Sequence, residues 1–386
     1  MDYSNKLSLR ASGLKPSGIR RFFDMLDGTD IISLGIGEPD FVTPWHIRDA
    51  GIASLEKGYT YYTPNAGTME LRRAISGYMS RSFGLSYEPK DEIVVTVGGS
   101  EAIDLAVRAL INDGDEVIVP EPSFVCYSPI AELANGVPIA VETTAEEGFK
   151  LTPEKLKAAI TPKTKLLVLP YPNNPTGAIL ERKELEELAK VIIENDLIVI
   201  SDEIYSELTY TGHHVSIASI DGMRERCIVV NGFSKSYAMT GWRLGYACGP
   251  REIIKVMTRV HQYGIMSAPT MSQFAAVEAL NNGDKDISEM RAEYNRRRRF
   301  MCESFNAMGL DCTSPSGAFY MFPSIKRTGL SSEEFCMRLL KEKRVAVIPG
   351  NAFGNSGEGH VRCCYAASMK NIAMALERIE EFLRTL

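Results

Sequence analysis

The segment Asn231-Gly-Phe-Ser-Lys-Ser-Tyr-Ala-Met-Thr-Gly-Trp-Arg-Leu-Gly245 follows an apolar run, Cys227–Val230, that is typical of a buried strand. The turn pair Asn231-Gly232 ends that strand. Lys235 and Arg243 therefore come shortly after a strand end, where a lysine is held against the sheet rather than on an exposed helix. Because a lone lysine is usually a solvated surface charge, the rest of the chain must decide what Lys235 does.

Composition limits the kinds of partner that the protein can have. The chain has 386 residues, of which 45% are hydrophobic and 24% are charged, as is usual for a globular protein. At the usual ~150 residues per domain, this length allows two or three domains. The net charge of -6 argues against a partner that is a polyanion. The basic run Arg296–Arg299 lies beside Glu293 and Glu303, which favours a solvated helix face over a nucleic-acid site.

The sequence also predicts where the protein works. The first residues, Met1–Lys15, contain no apolar core of signal-peptide length, and no other stretch is long enough to span a bilayer. The eight cysteines have no C-x-x-C spacing, which indicates neither a disulfide framework nor a zinc site. The adjacent pair His213-His214 would point apart on an extended chain, which disfavours a metal pair. We therefore expect a cytoplasmic protein with no metal and no membrane partner.

Apolar runs and helical patterns alternate after Glu92. The strand-like runs are Ile93–Val97, Val117–Val119, Leu166–Leu169, Leu197–Ile200, Cys227–Val230 and Leu244–Cys248. The helical patterns between them include Ser100–Ile111, Glu181–Glu194 and Arg251–Tyr263. This alternation predicts an α/β fold with a mostly parallel sheet, and continuous apolar runs are typical of strands covered on both faces. Earlier in the chain, Thr43-Pro44 predicts a helix start with Thr43 as the cap.

The pattern changes after about Gly283. A long charged helix is predicted at Ile287–Met308, and shorter strands and helices follow it to the end of the chain. These elements indicate a smaller α+β unit. We predict a large domain at residues 41–285 and a small domain at residues 1–40 plus 286–386.

Two further segments carry groups that complement Lys235. In Val94–Ala102, a strand leads through Gly98 and Gly99 into a helix start, where free backbone N–H groups form an anion site, although an ordinary capped helix explains the same pattern. Ser100 can add a hydroxyl there, whereas Glu101 fits only if its carboxylate points away.

In Leu197–Tyr205, a strand runs directly into acids. Asp202 or Glu203 could hold a protonated pyridine nitrogen, but strand alternation points them to opposite sides, so only one can do so. Tyr205 is close enough in sequence to add a hydroxyl to the same pocket. Pyridoxal phosphate (PLP) requires three such groups. A lysine forms a Schiff base with its aldehyde, an acid pairs with its pyridine nitrogen, and an anion site holds its phosphate.

Two polar positions allow two interpretations each. Asn173 and Asn174 lie in a loop fixed by two prolines and a glycine, Tyr171–Gly177, where turn chemistry alone explains asparagine. Arg362 lies within an apolar strand, and a buried arginine needs an anionic partner. That partner is either an internal carboxylate or the carboxylate of a substrate, which guanidinium grips through two parallel hydrogen bonds.

Three motifs, in this order and well separated, resemble the class I and II aminotransferases, which are PLP enzymes of fold type I. They are Asn-Asn-Pro-Thr-Gly (Asn173–Gly177), Ser-Asp-Glu-Ile-Tyr (Ser201–Tyr205) and Ser-Lys-Ser-Tyr-Ala-Met-Thr-Gly-Trp-Arg (Ser234–Arg243). The resemblance covers nearly the whole chain from Ser33 and is strongest to the bacterial and archaeal branch with aspartate and aromatic aminotransferases. It implies a large domain with a mostly parallel mixed sheet between helices, and a smaller α+β domain.

The resemblance also implies roles for individual residues. Lys235 would hold PLP as a Schiff base and shuttle a proton, and Asp202 would pair with the pyridinium nitrogen. Asn174 and Tyr205 would bond the phenolic oxygen of the ring. The remaining cofactor contacts would come from Phe124 by stacking on the ring and from Gly99, Ser100, Glu101 and Arg243 at the phosphate.

Other implied roles concern the substrate and the partner subunit. Arg362 would bind the substrate α-carboxylate, helped by Gly37 and Asn174. Tyr62 would reach the phosphate of the neighbouring subunit in a homodimer. The segment around Ile19-Arg20 and Ile36 would line the side-chain pocket.

The sequence departs from the family pattern at two positions. Many relatives have a serine that helps to bind the phosphate at the position where this chain has Gly232. Whether Ser234 makes that phosphate contact instead stays open. Many also have Trp or Tyr where Phe124 stands, which removes a polar group and keeps the stacking face.

The implied activity moves an amino group from an L-amino acid to a 2-oxo acid by a ping-pong mechanism. An aspartate or aromatic amino acid with 2-oxoglutarate is the favoured pair. The alternatives are a PLP-dependent β-lyase on the same fold and a non-catalytic PLP-binding regulator.

Overall fold

Residues 1, 3, 5–16, 18 and 30–386 are described by a computed structural model. Ile19 and Arg20, which the resemblance places along the side-chain pocket, lie outside this range. No helix within the described part of the chain is both long and apolar enough to cross a membrane.

The elements follow one another in an alternating order over most of the chain. The strands are β1 (Ile32–Ser33), β2 (Ile93–Thr96), β3 (Glu116–Glu121), β4 (Val137–Glu142), β5 (Thr164–Leu169), β6 (Ile198–Asp202), β7 (Cys227–Gly232), β8 (Gly245–Cys248), β9 (Tyr320–Met321), β10 (Val345–Ala346), β11 (Ile348–Pro349) and β12 (Val361–Cys364). The α-helices are α1 (Leu9–Gly13), α2 (Trp45–Glu56), α3 (Met69–Phe83), α4 (Gly99–Leu110), α5 (Tyr127–Leu133), α6 (Pro153–Ala159), α7 (Arg182–Glu194), α8 (Arg251–Gly264), α9 (Thr270–Asn282), α10 (Asp284–Ala307), α11 (Ser332–Lys343) and α12 (Met369–Leu383).

A seven-stranded sheet has the strand order β2-β8-β7-β6-β5-β3-β4. Strand β8 is antiparallel to both of its neighbours, and all other pairs are parallel. The predicted α/β fold with a mostly parallel mixed sheet is therefore confirmed. The sequence does not reveal the reversed direction of β8, because an apolar run has the same composition in either direction.

Both faces of this sheet are covered. Val230 and Ala247 belong to an apolar core that also contains residues of α4 and α8. Their neighbours Val229 and Tyr246 belong to a larger core on the other face. This alternation explains why the strands read as continuous apolar runs, since every residue of β7 is buried.

The C-terminal part forms smaller sheets beside the long helix α10. Strands β11, β12 and β9 form an antiparallel sheet in that order, and β1 pairs in parallel with β10. The second pairing joins the N-terminal segment to the C-terminal part, as a small domain of residues 1–40 plus 286–386 requires. The division at residues 41 and 285 stays a prediction.

The start of α2 differs from the sequence prediction. The cap residue is Pro44, and Thr43 makes no capping hydrogen bond. Instead, Thr43 Oγ1 donates to the carbonyl of Ala238 at 2.6 Å and accepts the Trp242 Nε1 hydrogen at 3.1 Å. Thr43 was wrongly predicted as a cap because its hydroxyl has partners in the distant segment that carries Lys235.

Candidate active site

A cavity of about 330 Å³ lies where several strands of the large sheet reach their carboxyl ends. Binding residues gather at this edge in open α/β sheets. The cavity is lined by most of the residues that the sequence singles out, namely Gly37, Gly99, Ser100, Phe124, Asn174, Asp202, Tyr205, Ser234, Lys235, Arg243 and Arg362. Glu101 and Tyr62 are not among its lining residues.

Lys235 lies just after β7, and its side chain enters the cavity. Its Nζ donates to the carbonyl of Gly37 at 2.6 Å. Burial disfavours the charged ammonium and lowers the pKa of Lys235 to about 8. A neutral amine is the form that attacks a carbonyl carbon, so burial prepares Lys235 for covalent chemistry.

Asp202 ends β6 and is 8% exposed. Tyr127 Oη donates to Asp202 Oδ2 at 2.8 Å, and the Ile204 N–H donates to Oδ1 at 3.2 Å. Burial raises the pKa of the Asp202 carboxyl, and these two hydrogen bonds oppose that rise. A cationic partner in the cavity would compensate this buried carboxylate.

The neighbouring acid faces the other way. Glu203 is fully buried, and its Oε1 accepts hydrogen bonds from Ser201 Oγ at 2.9 Å and Ser216 Oγ at 2.6 Å. Its Oε2 lies 2.9 Å from His214 Nε2. Strand alternation therefore leaves Asp202 as the acid that lines the cavity.

The turn between β2 and α4 forms the end of the cavity that can hold an anion. Gly98 has φ 84°, and helix α4 begins at Gly99, so free backbone N–H groups are available there. A Cβ at Gly98 would lie 2.8 Å from Arg243 Nη2, which brings a guanidinium to the same turn. A Cβ at Gly245 would lie 2.6 Å from the carbonyl carbon of Gly98 and 2.7 Å from the Gly99 nitrogen. Two glycines thus allow the close approach that forms this corner.

The carboxylate of Glu101 is directed away from this corner. One of its oxygens accepts the Val97 N–H, and the other lies 2.8 Å from His261 Nδ1. Only the backbone of Glu101 remains for an anion.

Tyr62 is 78% exposed and lies on a surface loop of its own chain.

Arg362 lies on β12 and is 2% exposed. Its Nη1 donates to Asn174 Oδ1 at 3.0 Å, and its Nη2 donates to the carbonyl of Gly35 at 2.6 Å. The Nε has no hydrogen-bond partner, and Arg362 makes no salt bridge with any residue that the structure describes. The alternative of an internal salt bridge is therefore not met within the described residues. A buried guanidinium without an anion suits a carboxylate ligand.

Sequence reasoning missed several residues that line the cavity. These are Glu38, Ile103, Tyr127, Pro170, Pro172, Ile204, Thr240 and Tyr320. Tyr127 begins α5 three residues after Phe124, and its closeness in sequence was an available signal. Tyr320 gave none, because an aromatic residue in an apolar strand looks like ordinary core.

The fold and the cavity define a class of protein, an α/β enzyme with a buried lysine at the edge of its sheet. Similarity to known proteins agrees with this class. The family model described as aminotransferase class I and II matches residues 29–379. The chain belongs to this family, and it is an aminotransferase. The predicted family and enzyme class are confirmed.

Relatives and solved structures extend over the whole chain. The putative aminotransferase YugH of Bacillus subtilis is 52% identical, with 96% of each chain covered. The aspartate aminotransferase of Pyrococcus abyssi is 46% identical, covering 100% of this chain and 99% of that one. The crystal structure of the aromatic aminotransferase from Pyrococcus horikoshii OT3 has a TM-score of 0.91 and 46% identity, covering 95% of this chain and 99% of that one.

Proposed function

We propose that this chain binds PLP through Lys235 and moves an amino group from an L-amino acid to a 2-oxo acid. The favoured substrates are aspartate or an aromatic amino acid together with 2-oxoglutarate. One observation carries the proposal: a buried lysine, a buried carboxylate and an anion-binding helix end line a single cavity. Similar proteins named aspartate and aromatic aminotransferases support the substrate class.

The residues of the cavity fit this cofactor in their chemistry. The Lys235 amine suits the aldehyde, and the Asp202 carboxylate suits a protonated ring nitrogen. The first turn of α4 and Arg243 suit a phosphate. Phe124 offers an apolar ring to stack on, and Asn174 and Tyr205 offer polar groups for the phenolic oxygen. When bound, PLP supplies an electron sink for the bonds at the substrate Cα.

The protein's own groups would then divide the work. Arg362 binds the α-carboxylate and so fixes how the Cα–H bond points. Lys235, neutral in a substantial fraction near pH 8, would take the proton from the substrate Cα and deliver it to the former aldehyde carbon of the cofactor. Asp202 would supply a negative charge to the protonated ring nitrogen. Ser234 lines the cavity, and its contribution to phosphate binding stays a proposal.

A half-reaction screen tests this function. Each common amino acid is mixed with PLP-loaded protein, and conversion of the cofactor to its amine form is followed by absorbance. We expect conversion by aspartate, glutamate or aromatic amino acids, and parallel lines in two-substrate kinetics. Elimination from a cysteine conjugate without accumulation of the amine form would instead favour the β-lyase. Binding of PLP without any reaction would favour the regulator.

The proposal includes a homodimer in which Tyr62 reaches the partner's cofactor phosphate. Tyr61, Tyr62 and Tyr263 are 64%, 78% and 85% exposed, which is unusual for such large aromatic side chains. A partner subunit would cover them. Sedimentation of the PLP-loaded protein measures its molar mass and so tests for the dimer. We also propose that the protein is located in the cytoplasm.

Replacing Asp202 with asparagine is expected to lower kcat by roughly 10²- to 10³-fold, because asparagine cannot hold the charge that faces the ring nitrogen. Steady-state kinetics with saturating PLP measures the loss. The matched control is Glu203→Gln, which alters the adjacent acid on the other face of the strand and should affect stability more than kcat. Equal losses of kcat in both variants would contradict the role of Asp202.

Replacing Gly245 with alanine is expected to weaken PLP binding and to lower the free energy of unfolding by about 1–3 kcal/mol, because the new methyl group meets the backbone of Gly98 and Gly99. Binding of pyridoxal, which lacks the phosphate, should weaken less. The control is Gly241→Ala, since no atom of the described residues lies within 4 Å of a Cβ at that position. Unchanged PLP affinity in Gly245→Ala would place the phosphate elsewhere.

A further inference from the structure

We infer that Tyr320 is a positioning residue that connects the two halves of the site, its hydroxyl ordering Tyr205 and its ring holding Arg362. The inference deepens the proposed function and rests on it, since Tyr205 serves the cofactor and Arg362 serves the substrate there. Tyr320 is 1% exposed, and it lines the cavity from the small sheet rather than from the large one.

The strand register places the ring of Tyr320 beside Arg362. Tyr320 on β9 pairs with Cys364 on β12, two residues from Arg362, so these side chains share a face of the sheet. The guanidinium carbon of Arg362 lies 4.5 Å from the centre of the Tyr320 ring. An aromatic face attracts a desolvated cation and limits how it can rotate. The ring of Tyr320, together with that of Phe353 at 4.8 Å, therefore holds a guanidinium that pairs with no carboxylate among the described residues.

The hydroxyl of Tyr320 reaches the other half of the site. Tyr320 Oη and Tyr205 Oη are 2.7 Å apart, and both residues are buried. Burial raises the pKa of both hydroxyls, and the charge of Arg362 opposes this rise at each. The guanidinium of Arg362 lies against the ring of Tyr320, and a cation at that distance favours Tyr320 as the donor. If Tyr320 donates, the Tyr205 proton is left for a group in the cavity, and the chain of two hydroxyls strengthens that donation.

The same hydroxyl lies against the loop that contacts Lys235. A Cβ at Gly37 would lie 2.5 Å from Tyr320 Oη, so a glycine is needed for this close approach. The Gly37 carbonyl in turn accepts the hydrogen bond from Lys235 Nζ. One side chain thus contacts residues that serve the lysine, the phenolic oxygen and the substrate carboxylate.

Two substitutions separate the two roles of Tyr320. Tyr320→Phe keeps the ring and removes the hydroxyl, so kcat should fall about fivefold, as expected for the loss of one hydrogen bond. The pH midpoint of the cofactor's visible absorbance should rise, because a weaker Tyr205 hydrogen bond stabilises the phenolic oxygen's charge less. Binding of 3-phenylpropionate, a carboxylate probe without an amino group, should stay within about twofold of wild type, since Arg362 keeps its aromatic neighbour.

Tyr320→Leu removes the ring as well, and the probe should then bind about tenfold more weakly. The matched control is Tyr365→Phe, in a buried tyrosine whose hydroxyl donates to the Ala318 carbonyl at 3.0 Å and which does not line the cavity. This control should lose some stability to heat and change neither the absorbance midpoint nor probe binding.

A double-mutant cycle keeps the test decisive if Tyr320→Phe is also less stable. Tyr205→Phe should raise the absorbance midpoint, and adding Tyr320→Phe should raise it no further, because the hydroxyl acts only through Tyr205. Additive shifts, an unchanged midpoint in Tyr320→Phe, or wild-type probe binding in Tyr320→Leu would each overturn the inference. Failure of the wild-type protein to attach PLP at Lys235 would instead overturn the proposed function.

Discussion

Replacing Lys235 with alanine is expected to abolish covalent attachment of PLP and to reduce turnover by on the order of 10⁴-fold, the upper range for loss of a positioned acid–base group. The side chain is buried beside the Gly37 carbonyl, and no other lysine lines the cavity among the described residues. Borohydride reduction of the PLP-loaded protein followed by peptide mapping should label Lys235 in the wild type and no residue in the variant. A label on another residue would refute the assignment.

The low pKa of Lys235 adds a pH dependence to this prediction. Because burial favours the neutral amine, the fraction able to attack the aldehyde rises with pH through about 8, rather than through the range of an exposed lysine. The rate of PLP attachment to cofactor-free protein should follow that rise. An exposed lysine such as Lys285 provides the control, since Lys285→Ala should leave both the label and the rate unchanged.

Replacing Arg362 with leucine is expected to weaken the binding of every amino acid by roughly 30-fold or more, because the loss of one partner from a buried charge pair costs about 2–5 kcal/mol. Arg362 Nη1 and Nη2 donate to Asn174 and Gly35, and Nε has no partner in the part of the chain that the structure describes, so the group has capacity left for a carboxylate. Half-reaction titrations with aspartate, phenylalanine and alanine measure the effect. The loss should be similar for all three, since they share only the α-carboxylate and the amine.

A second buried arginine separates substrate binding from stability. Arg297 is 6% exposed and pairs with Asp40 at 2.7 Å and with Glu293 at 2.9 Å. Arg297→Leu should lower the free energy of unfolding without a matching loss of amino-acid affinity, whereas Arg362→Leu should lose amino-acid affinity. A loss in Arg362→Leu that is confined to acidic amino acids would show that Arg362 binds the side chain and not the α-carboxylate.

Much of the fold could be predicted because strands that are buried on both faces of a parallel sheet have a distinctive apolar composition. Continuous apolar runs such as Cys227–Val230 arise where both faces of a strand are covered, and the polar residues that follow them fall at the open edge of the sheet. Period-two alternation separates Asp202 from Glu203 for the same reason. These are local rules, and they hold wherever the tertiary structure does not oppose them.

Local rules fail where a side chain has a distant partner. The Thr43 hydroxyl bonds Ala238 and Trp242 rather than its own helix. Tyr320 joins the site because a separate sheet brings it to Tyr205, 115 residues away in sequence. The sequence around either residue records no such partner, and only the folded chain brings the groups together.

The pairing of β7 with β8 sets the spacing of Lys235 and Arg243. Gly232 pairs with Gly245, so residues 233–244 leave the sheet and return at one point, carrying both Lys235 and Arg243. The two ends of this segment are therefore fixed at one place in the sheet. Transplanted whole into a related sheet, the segment would keep Lys235 and Arg243 at an unchanged separation, whereas one residue inserted between them would alter the distance that a ligand bound to both must span.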